Sequence, residues 1–152
     1  MTHRLAITLG IALLMTQNVA VNSAENHWGP IRAEYVRNYD VDTITFNMNP
    51  YPGIWLRDTR IRVLSIDGPE IRGKCDAEKV FAKKGKARVR DLLTSADVIE
   101  LLVTGLDLYG RTLAHVSIWN DGNRSDLSEL LLNEKYVVYY DGKAARSKDW
   151  CG

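Results

Sequence analysis

This chain of 152 residues is short of several things: long apolar runs, cysteine (two), histidine (three) and net charge (+1). Each shortage closes off a class of function. A membrane-spanning helix needs about 20 consecutive apolar residues, and only Leu5 to Met15, near the N-terminus, comes close to an unbroken apolar run. A structural zinc site needs a compact set of four ligands. Cys75 and Cys151 stand far apart, and His3, His27 and His115 show neither C-x-x-C nor H-x-x-x-H spacing. A balance of 20 basic against 19 acidic residues argues against a protein that coats nucleic acid indiscriminately. It leaves room for an enzyme that must release its product.

The apolar N-terminal run follows Arg4 and precedes the small residues Ser23 and Ala24. A basic start, a short apolar core and a small-residue cleavage site read as a secretory signal. The reading divides the chain into a signal peptide over 1–24 and a single domain over 25–152, exported to the periplasm or beyond the cell. An uncleaved anchor is the alternative. The leader takes one basic residue and no acidic one, so the remaining 128 residues carry 19 of each sign. That length suits one domain with its own core. In an exported chain an even pair of cysteines predicts a disulfide between Cys75 and Cys151, against two unrelated free thiols.

Alternating apolar and polar residues predict strands over Ile31–Tyr39 and Thr43–Met48, with Asp40-Val41-Asp42 in the turn between them. Asn49 to Gly53 reads as a loop, and Ile54 to Ile66 as a long, bent third strand that ends at Asp67. Helical spacing of Phe81, Val89, Leu92, Leu93 and Ala96 predicts a helix over Asp76–Ala96, with Gly85 marking a close packing contact. Val98–Val103 and Arg111–Trp119 read as strands joined by a turn over Asp107–Gly110. A polar loop over Asn120–Ser125, a short helix over Leu127–Leu132 and an extended Tyr136–Tyr140 follow. The polar tail from Asp141 is expected to close over the domain. Five strands with two to three helices inserted late form an α+β, OB-type β-barrel pattern. On pattern alone an unrelated α+β domain stays open.

The chemistry concentrates in Arg62-Val63-Leu64-Ser65-Ile66-Asp67-Gly68-Pro69-Glu70. Arginine binds phosphate through a planar fork of donors. One carboxylate can hold a hard metal ion, and a second nearby can act as a base. A second metal carboxylate and a second arginine would complete a phosphodiester-cleaving set. Asp42 in Asp40-Val41-Asp42-Thr43 and Arg111 in Asp107-Leu108-Tyr109-Gly110-Arg111 supply them.

These segments resemble the staphylococcal nuclease family. Its pattern is D-G-D-T, then R-x-x-x-[IV]-D-x-P-E, then D-x-Y-G-R; here it reads D-V-D-T, R-V-L-S-I-D-G-P-E and D-L-Y-G-R, in the same order. The resemblance implies an OB-type barrel and a calcium-dependent nuclease acting on DNA and RNA, single-stranded or locally open, with 3′-phosphate ends. It implies Asp42, Asp67 and the backbone carbonyl of Gly68 as calcium ligands, and Asp40 as the acid that orders waters around the ion. Glu70 becomes the general base, Arg62 and Arg111 the phosphate clamp, and Tyr109 a nucleotide contact. A monomer is expected. Tyr136, Tyr139 and Tyr140 are candidates for the base pocket with no choice among them. The basic run Lys79, Lys83, Lys84, Lys86, Arg88 and Arg90 reads as a solvated helix face. Arg60 shares strand parity with Arg62 and is set aside only by its spacing to Asp67.

Two residues depart from the family pattern: Val41 stands where it has glycine, and Gly68 where it has threonine or alanine. The rival reading is an OB-fold module that binds single-stranded nucleic acid or a protein and has lost catalysis. Binding alone does not require Asp42, Asp67, Glu70, Arg62 and Arg111 together.

Overall fold

The computed structural model describes residues 28–142 and 148–152. The candidate signal peptide lies outside the described residues, as does 143–147 of the tail. Among the described residues no helix is long and apolar enough to cross a membrane.

Strands β1 (Trp28–Asn38), β2 (Thr43–Tyr51) and β3 (Ile54–Val63) form an antiparallel meander. Two-residue β4 (Ile66–Asp67) follows, then α1 (Asp76–Thr94), β5 (Val98–Leu106), β6 (Thr112–Asn120), β7 (Asn123–Asp126), α2 (Leu127–Asn133) and β8 (Val138–Tyr139). The large sheet runs β3-β2-β1-β5-β6-β7, and a parallel pairing of β3 with β6 joins Ile61 to Thr112 and Val63 to Ala114. That pairing closes five strands into a barrel and removes their free edges. The α+β, OB-type barrel expected from the pattern is the fold observed, with two helices among the described residues.

Period-two alternation explains the core. Ile44, Phe46 and Met48 of β2 point inward beside Ile61, Val63, Leu101, Val116 and Ile118, all buried. Helix α1 closes one end with Val89, Leu92 and Leu93, and α2 adds Leu127 and Leu131. Burying each such side chain contributes about 1.5–3 kcal/mol. Cys75 caps α1, its Sγ accepting from the Glu78 N–H at 3.4 Å; Asp126 caps α2, accepting from Ser128 and Glu129.

Three local expectations need correction. Asn49, Pro50 and Tyr51 continue β2 rather than forming a loop, because they pair across to β1 and β3, and Pro52-Gly53 alone makes the turn. The segment around Asn123–Asp126 is a strand: Asp121 and Gly122 turn the chain back so that it pairs with β6. Turn-forming residue types concealed both. The long third strand is broken rather than merely bent. Ser65, at φ +66°, turns the chain between β3 and β4, and β4 leaves the barrel to pair with β8 through Asp67↔Val138.

Candidate active site

Asp40, Val41 and Asp42 fill the turn between β1 and β2. Asp40 Oδ1 accepts from the N–H groups of Asp42 (3.2 Å) and Thr43 (2.8 Å), a local turn typical of aspartate. Burial, and then the Asp42 charge, raise its carboxyl from 3.8 to about 7. The loop is pinned to β3 where the Val63 N–H donates to the Asp42 carbonyl at 2.9 Å. Gly68, on the turn after β4, donates its N–H to Asp42 Oδ2 at 3.0 Å. The two acidic segments are thus bonded directly to each other.

Val41 fills the space between these segments. It is fully buried, and its two methyl groups lie against two glycines. A Cβ at Gly68 would overlap one Val41 methyl, and a Cβ at Gly85 of α1 would stand 2.8 Å from the other. The two departures from the family pattern therefore compensate each other: the loop carries the side chain, and the facing residues give up theirs. Gly85 marks a close contact as expected, with Val41 as the neighbour.

Arg62 stands on β3 directly opposite Thr43 of β2. Its NH1 lies 2.6 Å from Asp42 Oδ2, and its NH2 donates to Asp67 Oδ1 at 3.3 Å. The side chain is 12% exposed, so the ion pairs sit in poorly screened surroundings. NH1 is buried against Asp42, although that pair falls outside hydrogen-bond geometry. Asp42 and Asp67 face one small space, since one guanidinium reaches both. Asp40 does not join them as a third ligand. Among the described residues the only set of three metal-type groups within 4.8 Å is Cys75, Glu78 and Cys151, and its two sulfurs are bonded to each other.

Arg111 is set by its own turn. Asp107 accepts from the Arg111 guanidinium (2.6 Å), the Arg111 N–H (2.8 Å) and the Tyr109 N–H (2.8 Å). Gly110, at φ +74°, lets the turn close. Burial pushes the Asp107 carboxyl up, but those donors together hold it below its ordinary value. Arg111 is consequently an oriented cation.

Glu70 reaches the site on the segment between β4 and α1. Its backbone N–H donates to Glu78 Oε1 at 3.1 Å, and the Lys74 N–H donates to Glu78 Oε2 at 2.9 Å. Glu78 is buried, and Gly73 packs so tightly on its carboxylate that any Cβ there would collide with it. Sequence reading missed Glu78. A signal was present, because an acid three residues after an N-cap is a capping-box pattern, but the cap here is cysteine rather than serine or threonine. Cys75 and Cys151 form the expected disulfide, with Cα atoms 5.9 Å apart. Trp150 stacks on Phe81 of α1 at 5.4 Å, so the end of the chain does close over the helix.

Asp40, Asp42, Arg62, Asp67, Glu70 and Arg111 all line one cavity of about 640 Å³. Arg60 and Arg37 line it too, as does Lys86 of the basic helix run. Of the three late tyrosines only Tyr140 reaches it, held by its N–H to the Ser65 carbonyl at 3.1 Å. Tyr136 instead stacks on Phe81, and Tyr139 is exposed. Tyr109 is not brought in: the residue is 85% exposed, with the Arg111 guanidinium over its ring at 5.5 Å, and does not line the cavity.

A cavity lined by two oriented guanidiniums and three buried acids suits an anionic phosphate held beside a hard cation. No curated protein matches the chain. The family model described as staphylococcal nuclease homologue matches residues 60–149. That span covers more than half of the chain and includes Arg62, Asp67, Glu70 and Arg111; Asp40 and Asp42 lie outside it. With barrel, cavity and family match in agreement, the chain belongs to the staphylococcal nuclease homologues.

Proposed function

We propose that the protein is an exported, calcium-dependent nuclease that hydrolyses phosphodiester bonds in DNA and RNA and leaves 3′-phosphate ends. The observation that carries this reading is the convergence of Arg62, Arg111, Asp42, Asp67 and Glu70 on one cavity. The donor set fits calcium. Two carboxylates, each under a tenth exposed, face one small space, and the Arg62 guanidinium reaches both. Hard oxygen donors in a loosely defined shell suit calcium better than a soft metal. Asp42, Asp67 and the Gly68 carbonyl would hold the ion, with Asp40 fixing the Asp42 loop. Bound there, calcium supplies Lewis-acid stabilisation of the phosphate charge.

The chain's own groups do the rest. Glu70 takes a proton from a water beside the phosphorus. The water oxygen bonds to phosphorus as the P–O5′ bond breaks, and the departing O5′ leaves as an alcohol once protonated by solvent. Arg62 and Arg111 donate to the equatorial oxygens, where negative charge develops. The Cys75–Cys151 bridge supports export, since disulfides persist in oxidising compartments.

The test is degradation of single-stranded DNA and of RNA with calcium and with chelator, followed by analysis of the ends. Chelator should stop cleavage, calcium should restore it, and the products should carry 3′-phosphates. Full activity in excess chelator overturns the calcium assignment. No cleavage under any metal condition, with retained binding of single strands, establishes the non-catalytic module instead.

A further inference from the structure

The outer face of the barrel carries a second feature that the cleavage chemistry does not use. Side chains two apart on a strand share a face. Starting at the candidate active site, Thr43 pairs with Arg62; one step out, Thr45 lies between Arg60 and Arg37. Beyond them the register of β3 shifts: Phe46 pairs with Thr59, but Met48 pairs with Leu56. The extra β3 residue switches parity. Leu56, 45% exposed, pairs with buried Met48, so by register Trp55 and Arg57 fall on the same strand face as Arg60 and Arg62. Arg57 lies over the Trp55 ring at 5.0 Å. Trp55 is 39% exposed, and with Arg32, Glu34 and Tyr35 of β1, Leu93 and Thr94 at the end of α1 and Asp97 it lines a second cavity of about 460 Å³. Three acids lie along this track: Asp58, Glu34 and, in the second cavity, Asp97. Asp58 is neutralised by Arg37 at 2.7 Å, and Glu34 stands beside Arg32. Arg32, Arg37, Arg57 and Arg60 outnumber them, on a chain whose formal charge is only +1.

We propose that this face, from Arg60 to Trp55, binds the single-stranded stretch of polynucleotide adjoining the scissile phosphate, with a base stacked on Trp55 in the second cavity. The inference rests on the nuclease reading above. A basic track interleaved with an aromatic platform is what binds single strands without sequence preference. The seven steps from Arg62 to Trp55 cover about 20 Å at strand spacing, room for several nucleotides. The cation over one ring face leaves the other for a base. Grip is thereby concentrated on one face, which reconciles nucleic-acid binding with a near-neutral chain.

The experiment compares Trp55→Ala/Arg57→Ala with wild type on dT12 and dT2, in calcium. Both residues are exposed, so the melting temperature checks that the fold is kept. KM for dT12 should rise tenfold or more, while KM for dT2 moves less than twofold. Anisotropy of labelled dT12 in chelator should show the same loss of affinity without any cleavage. That arm separates the two readings: an uncleaved dT12 bound by wild type but not by the variant sinks the nuclease activity and keeps the track. Equal dT12 affinity and KM in variant and wild type overturns the track. So does a variant that keeps dT12 affinity but no longer sediments with anionic phosphatidylglycerol vesicles that wild type binds, which assigns the face to a membrane surface.

Discussion

Asp42 and Glu70 line the same cavity, yet one is held by the barrel and the other by a helix. The Asp42 loop joins two paired strands, is bonded to β3 and to Gly68, and is wedged by Val41 against two glycines. Glu70 sits on a segment with little strand pairing of its own. It is held from outside, by a buried glutamate of α1 whose first turn is tethered to the C-terminus through Cys75. On the proposed mechanism the side that would hold the cation is therefore as stable as the barrel, while the side of the proposed base depends on α1 and on an oxidised disulfide. Perturbations of the two sides should separate in kinetics.

The widest separation comes from the acids themselves. Glu70→Gln keeps shape and removes the base, so kcat should fall by about 10²–10⁴-fold with calcium affinity unchanged. Asp67→Ala should instead raise the calcium requirement or stop turnover. A calcium titration beside steady-state kinetics checks both. If Glu70→Gln shifts the calcium requirement as far as Asp67→Ala does, the division into two sides is wrong.

The arginines come next. Lysine supplies charge without the fork, so Arg62→Lys and Arg111→Lys should each lower kcat by about 10²-fold or more. Arg62→Lys should be the worse, because Arg62 also joins Asp42 to Asp67, whereas Arg111 meets Asp107 and Tyr109 within its own turn. Arg60→Lys keeps the charge of an exposed residue and should change kcat less than threefold. Single-turnover rates on one oligonucleotide rank the three.

Much of this was legible before any coordinates. Five acids and arginines at fixed spacings point to the cavity, because the barrel brings strand ends and turns together at one end. Alternation of Ile44, Phe46 and Met48 marks the inner face unaided. Partners that meet only in three dimensions were not legible. Nothing local says that Val41 will touch Gly68 and Gly85, or that Tyr140 rather than Tyr136 or Tyr139 faces the cavity. Glu78 reads as an ordinary acid in the first turn of a helix, where the helix dipole favours one anyway. Its hold on the Glu70 segment spans a loop whose path the sequence does not specify.

Glu78→Gln tests that hold. An amide presents one acceptor and one donor to two N–H groups, so one bond is lost. Turnover should fall about tenfold, with calcium affinity unchanged, and the loss should not multiply with that of Glu70→Gln. Full multiplication in the double variant would mean that Glu78 acts elsewhere. Cys151→Ser probes the same side more gently. The bridge closes a loop of 76 residues, about 4 kcal/mol as an upper figure in the chain-entropy model. The melting temperature should drop by several degrees while calcium-dependent cleavage persists in the cold. An unchanged melting temperature on reduction removes the tether from the argument.

The smallest effect lies on the far part of α1, where Arg88 ties the helix to the end of α2. Its guanidinium donates to both oxygens of Glu134, at 2.8 and 2.7 Å. Those bonds hold the Glu134 carboxyl below its ordinary value of 4.5. The sign follows from linkage: the folded state binds this proton less readily than the unfolded chain. The contribution is fully present above the ordinary glutamate range and is lost as pH falls through and below it. Both side chains are about one third exposed, so the pair contributes no more than about 1 kcal/mol. Arg88→Ala should lower stability slightly at pH 7 and not at pH 3, as read by urea unfolding at both values. Unlike Glu78→Gln, it should leave kcat untouched, because this end of α1 carries neither the Glu70 segment nor the disulfide. A loss of kcat in Arg88→Ala would show that the whole helix, and not its first turn, holds the base.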